Sequence, residues 1–240
     1  MTTPTPPKKS DLGVRTASAV VMIGVAGGAL WLGGYWWTAF VAAVALGVLW
    51  EWRALVGKFS AQAAYAVWLI AGMLYVGASA AMLLFLRGPA TSLVPVLAVT
   101  GAVIATDIGA YFAGRTFGGP KIAPKISPSK TWSGLVGGIA GASLVMAIYL
   151  TAERDSLACD AGAWHCTSNF GLVVSSVMAG AVIAVIAQIG DFFESWMKRR
   201  AGVKDSGNLI PGHGGLFDRL DGLLAVLVFG TIMRLASGLT

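Results

Sequence analysis

The sequence has little charge. Charged residues make up only 12% of its 240 residues, whereas 56% are hydrophobic. A soluble domain has about 25% charged residues, so this deficit excludes a soluble protein of ordinary composition and predicts that lipid is the solvent for most of the chain. Acidic residues are scarcest, with only 11 in total. An acidic residue within an apolar segment is therefore a candidate for function.

Cysteine is scarce as well. The only two, Cys159 and Cys166, fall in the segment 153–168, which the topology described below places outside the cytoplasm. They could form a short disulfide, stay as unpaired thiols, or join Asp160 and His165 in a metal site. Because no familiar zinc-ligand spacing occurs here, a structural role or unpaired thiols is favoured over a metal.

Long apolar runs are what the sequence has in abundance. A helix needs about 20 apolar residues to cross roughly 30 Å of hydrocarbon. The stretches that meet this length are 14–33, 34–52, 63–86, 92–112, 132–151, 169–190 and 219–237. They predict an all-α, polytopic transmembrane helical bundle of about seven spans. Gly72 and Gly77 leave 63–86 open to a broken or re-entrant arrangement, so six to nine spans are compatible with the sequence.

Two other readings of the apolar runs are disfavoured. A transmembrane β-barrel needs strands that alternate apolar and polar residues, and runs such as 179–186 show no alternation. A cleaved signal peptide would end in a small-residue cleavage site. The first run lacks one and is followed at once by Tyr35, Trp36 and Trp37, so it is predicted to be retained as a span.

The basic residues indicate the orientation. When the seven spans alternate across the membrane, all but three of the 17 basic residues fall on one side, and only Arg87, Arg154 and Arg234 lie opposite. The basic side is predicted to face the cytoplasm, as in a bacterial inner membrane protein. Because these residues flank lipid instead of forming a folded basic platform, they indicate contact with the bilayer and not with nucleic acid.

Several acidic residues lie within or beside the apolar segments. They are Asp107, Asp191, Glu194, Asp205, Asp218 and Asp221. A carboxylate at membrane depth costs several kcal/mol unless it is paired, hydrated or bound to a cation. Asp107 is well inside the span 92–112, where the alternatives are a functional carboxylate and a buried partner for a basic residue; function is favoured.

Two polar segments between spans carry candidate phosphate ligands. The first, the predicted loop 113–131, ends in Ser127-Pro128-Ser129-Lys130-Thr131 just before a span, a pattern typical of anion binding at the start of a helix. The second runs from Ser195 to Asp221 as SWMKRRAGVKDSGNLIPGHGGLFDRLD. Its basic residues can bind phosphates, and Asp218 and Asp221 share a face if a helix begins there. Together with Asp191, they suit Mg²⁺.

The second segment resembles the signature of the phosphatidate cytidylyltransferases, also called CDP-diacylglycerol synthases. The elements that match are Ser195, Lys198-Arg199, Lys204-Asp205, Pro211-Gly212-His213-Gly214-Gly215 and Asp218-Arg219-Leu220-Asp221. Two upstream elements, Ser127 to Thr131 and Asp107 to Tyr111, are similar to features of the family in the expected order. The resemblance covers 107–221, and the amino-terminal third matches only in hydropathy.

The resemblance implies an enzyme that transfers a cytidylyl group from CTP to phosphatidate and releases pyrophosphate. It implies Mg²⁺, with a second cation such as K⁺, and a homodimer. The catalytic candidates are Asp107, Lys130, Asp191, Lys204, His213, Asp218 and Asp221, of which Asp191, Asp218 and Asp221 are the metal ligands. The substrate-binding candidates are Ser127, Lys130, Thr131, Ser195, Lys198, Arg199, Lys204 and Arg219. Residues 1–106 would form amino-terminal transmembrane helices, and 107–240 the catalytic region with cytoplasmic loops 113–131 and 191–218.

Alternatives remain for His213 and for the function. His213 could be a general acid for the departing pyrophosphate, but its glycine neighbours favour a tight loop whose backbone approaches phosphate. A phosphatidyltransferase that consumes CDP-diacylglycerol is disfavoured because the run 221–226 lacks the arginine of that family's motif. A transporter or lipid-binding protein is disfavoured because no inverted repeat is evident.

Overall fold

The computed structural model describes residues 12–59, 61–88, 92–161, 169–210 and 214–238. Its described part is almost entirely helical. The helices are α1 (Leu12–Leu32), α2 (Gly34–Phe59), α3 (Gln62–Leu86), α4 (Val94–Phe117), α5 (Trp132–Ala161), α6 (Asn169–Arg200) and α7 (Phe217–Ala236). Between α4 and α5, β1 (Lys121–Ala123) and β2 (Ser127–Thr131) form an antiparallel hairpin.

The lengths and compositions of the helices confirm an all-α membrane protein. Five helices, α2 to α6, are long and apolar enough to cross a membrane. The apolar part of α1 is shorter, Thr16–Leu32, and α7 carries four charged residues among its 20. The segment that could have been broken is one continuous helix, α3, because Gly72 and Gly77 lie inside it without interrupting it.

The helices extend further into the predicted loops than the sequence analysis placed them. Residues 191–200 belong to α6 and residues 113–117 belong to α4, so about the first third of the predicted 191–218 loop is helical. Polar residues there do not end α6 because Phe193 and Met197, four residues apart, keep an apolar face packed on the core beside Trp52. The non-helical part of this segment starts at Ala201.

Small residues bring α4 and α5 together along their length. A Cβ on Gly109 would lie 2.2 Å from the Gly137 carbonyl oxygen, and a Cβ on Gly137 would lie 2.3 Å from the Ala113 Cβ. Only glycine fits at both positions, as is common where membrane helices approach closely. This packing fixes the part of α4 that carries Asp107 against the second turn of α5.

The helices α6 and α7 approach each other equally closely. A Cβ on Gly190 would lie 2.5 Å from the Asp221 carbonyl oxygen, so the backbones touch next to the acidic residues of both helices. The core beside this contact is aromatic: Trp52 of α2 packs on Phe217 of α7 with ring centroids 5.6 Å apart, and both are buried. The ends of α2, α4 and α6 and the starts of α5 and α7 therefore meet at one end of the bundle.

Candidate active site

Three carboxylates from two helices form the centre of the site. Ligand oxygens of Asp191, Glu194 and Asp221 all lie within 4.8 Å of one another. Asp191 and Glu194 share a face of α6 because they are three residues apart, and the close contact at Gly190 brings Asp221 of α7 to that face. Such a group of hard oxygen donors can hold a divalent cation.

Glu194 is the most deeply placed member of this group. Its side chain is only 1% exposed, and no hydrogen-bond partner reaches its Oε1 among the described residues. Its other oxygen, Oε2, accepts from Lys198 Nζ at 2.6 Å. A buried carboxylate oxygen without a donor is costly unless a cation or water satisfies it, so this oxygen is a fitting ligand atom for a metal.

Lys130 and Asp107 lie beside the carboxylates. Lys130, at the end of β2, forms an ion pair with Asp191 through its Nζ, which also lies 5.3 Å from the centre of the Phe192 ring. Asp107, almost three turns before the end of α4, is within electrostatic range of both Lys130 and Asp191. The structure thus brings together four of the seven predicted catalytic residues, Asp107, Lys130, Asp191 and Asp221.

Asp218 lies next to this group but its oxygens are already engaged. It accepts from Lys198 Nζ at 2.9 Å and from the backbone N–H groups of Ser206 and Gly215, each at 2.9 Å at its closest oxygen. Burial opposes ionisation of Asp218, but the hydrogen bonds from Lys198 and from the two backbone N–H groups favour its charged form. The three carboxylates that lie close together are therefore Asp191, Glu194 and Asp221. The predicted metal ligands are Asp191, Asp218 and Asp221, so the two sets differ in Glu194 and Asp218.

The other predicted substrate ligands surround the carboxylates at different depths. Ser127 and Ser195 are partly buried, whereas Arg199, Lys204 and Arg219 are exposed at the same end of the bundle. His213 lies outside the described residues, as do its neighbours 211–212. Cys166 is also outside them, and the side chain of Cys159 is not described.

Thr131 has a structural use that the sequence analysis did not assign. Its hydroxyl is buried and accepts from the Gly134 N–H at 3.1 Å, which caps the first turn of α5. The segment predicted to bind an anion at the start of a helix is therefore a strand, β2, whose last residue, Thr131, caps α5. Lys130, one residue earlier, is the member of this element that reaches the carboxylates.

Two acidic residues of this region received no role from the sequence. From the sequence, Glu194 is only an acidic residue beside an apolar segment. No recognised motif includes Glu51, although it lies in the run Val48-Leu49-Trp50-Glu51-Trp52 inside the predicted span 34–52. Its carboxylate is 1% exposed and accepts hydrogen bonds from residues 206, 216 and 217. An acidic residue within an apolar span was the signal available for it.

Comparisons with known proteins agree with the geometry. The profile of the Cytidylyltransferase family matches residues 53–236. The chain is 36% identical to the phosphatidate cytidylyltransferase of Brucella suis biovar 1 (strain 1330), over 93% of this chain and 94% of that protein. It is 32% identical to that of Rickettsia bellii (strain RML369-C), over 90% of this chain and 88% of the relative. A shorter match to the Haemophilus influenzae enzyme is 44% identical over 53% of this chain and 41% of the relative.

Proposed function

The chain belongs to the cytidylyltransferase family, and we propose how its carboxylates and lysines carry out the transfer of a cytidylyl group from CTP to phosphatidate, giving CDP-diacylglycerol and pyrophosphate. It is a nucleotidyltransferase of phospholipid biosynthesis. The observation that carries the proposal is the meeting of Asp191, Glu194 and Asp221 with Lys130 at one end of an apolar bundle. A site there can accept a nucleotide from water and a lipid head group from the bilayer.

The carboxylates fit a divalent cation. Asp191, Glu194 and Asp221 supply hard oxygen ligands, and Oε1 of Glu194, which has no hydrogen-bond partner in the described part of the chain, supports the assignment. We infer that Mg²⁺ is held by these three residues, and that Asp218 of the predicted set holds the loop before α7. When bound, Mg²⁺ would neutralise charge on the phosphates of CTP and stabilise the charge that develops on the departing pyrophosphate. Asp107 contributes negative charge at the edge of the site.

The basic residues would bind the remaining phosphate charge. Lys130 and Lys198 are both partly buried beside the carboxylates, where a charge-assisted hydrogen bond to phosphate is stronger than at a water-exposed position. The exposed residues Arg199, Lys204 and Arg219 extend this positive surface toward water, so they are suited to guide CTP to the site. Ser127 and Ser195, both partly buried, would add neutral hydrogen bonds.

The chemical step needs positioning more than a strong base. A phosphate monoester has a second pKa near ~6 and is largely ionised at neutral pH. Its oxygen can therefore attack the α-phosphorus of CTP in line, forming the new P–O bond as the bond to pyrophosphate breaks. The main barrier is repulsion between two anions, which the site lowers by fixed positive charges and by orientation. No proton has to be removed from the nucleophile.

An assay of the purified protein tests the proposed function. The detergent-solubilised chain is incubated with phosphatidate, labelled CTP and Mg²⁺, and labelled lipid and pyrophosphate are measured. Equal amounts of both products are expected. Activity should require Mg²⁺, and K⁺ added in its place should not restore activity. A folded sample that makes neither product with any of these cations would contradict the proposal.

We further infer that the chain crosses a bacterial inner membrane seven times, with the site on the cytoplasmic side. The inference is supported by the asymmetry of the basic residues and by the convergence of the candidate residues at one end of the bundle. The relatives described above are bacterial proteins, which supports the assignment to a bacterial membrane. The homodimer implied by the resemblance remains a prediction, which cross-linking in membranes and mass measurement in detergent would test.

Introduced cysteines test the orientation. In a variant whose Cys159 and Cys166 are replaced by serine, cysteines at Lys125 and Asn208 are expected to resist a membrane-impermeant thiol reagent added outside intact cells. Cysteines at Ser92 and Ser237, exposed at the other end of the bundle, are expected to react. Permeabilised cells should label all four positions. The reverse pattern in intact cells would overturn the orientation.

Replacement of Lys130 tests the contribution of a single cation. Lys130→Ala is expected to lower kcat/KM by roughly ten- to a hundredfold, because a charge-assisted contact to phosphate contributes about 1.5–3 kcal/mol. The matched control is Lys125→Ala, an exposed lysine in the turn of the same hairpin, whose activity should stay at the level of the unmodified chain. Unchanged kinetics for both variants would remove Lys130 from the site.

A further inference from the structure

The carboxylate of Glu51 is a buried acidic group for which the proposed mechanism has no use. It lies on α2, just before the residues 53–236 that match the family profile, and its side chain is 1% exposed. A carboxylate removed from water in this way costs several kcal/mol unless hydrogen-bond donors surround it. The identity of the donors therefore indicates what the group does.

Among the described residues, all of the donors that contact Glu51 come from the segment that leads into α7 and from its first residue. Oε1 accepts from the Leu216 N–H at 3.0 Å, and Oε2 accepts from the Phe217 N–H at 2.8 Å and from Ser206 Oγ at 3.0 Å. Leu216 and Phe217 are at the start of α7, where backbone N–H groups have no partner within the helix. Leu216 has no polar side chain to cap them. Glu51, some 165 residues away in the sequence, supplies the capping oxygens.

Two glycines of the segment from Ser195 to Asp221, Gly207 and Gly215, leave space for this carboxylate. A Cβ on Gly207 would lie 2.3 Å from Glu51 Oε1, and a Cβ on Gly215 would lie 2.8 Å from Glu51 Oε2 and 1.9 Å from Ser206 Oγ. Gly207 has no positive φ that would by itself require glycine. The requirement for glycine at these positions therefore comes, at least in part, from a side chain on α2.

Glu51 and Asp218 hold the same segment from two sides. Ser206 donates its hydroxyl to Glu51 and its backbone N–H to Asp218, while Ile210 and Gly214 close the segment through a backbone hydrogen bond. Trp52, next to Glu51, packs on Phe217 and fixes α2 against the start of α7. Glu51 thus contacts the start of α7, which carries Asp218 in its first turn and Asp221 in its second.

We propose that Glu51 is a positioning residue for cytidylyl transfer, which holds Ser206, Leu216 and Phe217 in place and so aligns the carboxylates of α7 with those of α6. The proposal rests on the proposed function for its effect on turnover. It does not require Glu51 to touch a substrate or a metal. It assigns part of the active-site geometry to an amino-terminal helix.

Glu51→Gln is the first test, because glutamine has nearly the same shape but only one acceptor oxygen. Its NH₂ group would face either the Leu216 N–H or the Phe217 N–H, so at least one capping bond is lost. We expect faster amide hydrogen exchange in peptides covering 206–217 and a ten- to hundredfold fall in kcat per folded molecule. Activity is measured at a low temperature where unmodified chain and variant are equally folded. The matched control is Glu153→Gln on α5.

Gly207→Ala tests the same contact from the other side and serves if Glu51→Gln does not fold. Its Cβ would displace the Glu51 carboxylate. We therefore expect the same faster amide exchange in peptides covering 206–217 and the same fall in kcat as for Glu51→Gln. Gly77→Ala is the control, because a Cβ on Gly77 meets nothing within 4 Å. If kcat per folded molecule is unchanged in both test variants, or if exchange in 206–217 is unchanged, Glu51 is not a positioning residue.

The exchange measurement separates failure of this inference from failure of the proposed function. If the unmodified chain makes no labelled lipid, the proposed function fails, yet exchange still reports whether Glu51 holds the segment. Faster exchange confined to 206–217 in Glu51→Gln then supports the positioning role. Exchange equal to that of the unmodified chain overturns it whatever the activity.

Discussion

Asp221→Asn is expected to reduce cytidylyl transfer by a hundred- to a thousandfold, on the order of the effect of removing one preorganised electrostatic contact from an active site. The amide keeps the shape of the side chain but is a poor replacement for an anionic oxygen as a ligand of a hard cation. The Mg²⁺ concentration needed for half-maximal activity should rise as well. Radiolabelled CTP and a Mg²⁺ titration measure both quantities.

Thermal unfolding of the same variant should change little. The oxygens of Asp191, Glu194 and Asp221 lie within 4.8 Å of one another, so removal of one negative charge relieves repulsion among the others. We expect the Tm to fall by less than about 4 °C, if at all. Glu153→Gln on α5 is the matched control for loss of one acidic charge. Asp221→Asn with near-normal turnover and an unchanged Mg²⁺ requirement would remove Asp221 from the metal site.

Hydropathy predicted most of the helices because the bilayer imposes a length and a composition on each of them. The predicted stretch 63–86 and helix α3, Gln62–Leu86, agree almost to the residue. The carboxyl-terminal end of α6 was not predicted, since its last ten residues are polar enough to read as a loop. Contacts of Phe193 and Met197 with α2 and α7 keep those residues helical, and such contacts are not visible in hydropathy.

The candidate site was predictable where its residues belong to continuous motifs. Lys130 and the acidic residues of α6 and α7 were named from their local patterns, and the fold brings them together. Glu51 could not be assigned in the same way because its partners are about 155 to 166 residues away. The site consequently draws on both predicted regions, the amino-terminal helices and the catalytic region. Packing between them, not sequence spacing, determines the cap of α7.

The different contacts of Asp218 and Asp221 could not be predicted from the sequence either. The two are three residues apart and would face the same way on any helix, so both were predicted as metal ligands. In the structure the oxygens of Asp218 accept from Lys198, Ser206 and Gly215, whereas Asp221 joins the group with Asp191 and Glu194. Nearly isosteric changes at the two positions should therefore have different effects.

Asp218→Asn is expected to lower both turnover and stability while leaving the Mg²⁺ requirement unchanged. The variant keeps one acceptor oxygen but loses the charge that pairs with Lys198 and one of the backbone contacts. Hydrogen bonds to charged groups contribute about 1.5–3 kcal/mol, so the Tm should fall clearly, in contrast to that of Asp221→Asn. Turnover per folded molecule should fall about a hundredfold, since the segment before α7 loses one of the two carboxylates that hold it.

The Mg²⁺ titration decides between a positioning role and a ligand role for Asp218. A positioning residue changes the maximal rate, because the substrates and the carboxylates of α7 are misaligned at every Mg²⁺ concentration. A ligand changes the concentration at which the rate is half-maximal, because the affinity for the cation falls. If Asp218→Asn raises that concentration as much as Asp221→Asn does and leaves the Tm unchanged, Asp218 is a metal ligand and its contacts with Lys198, Ser206 and Gly215 are secondary.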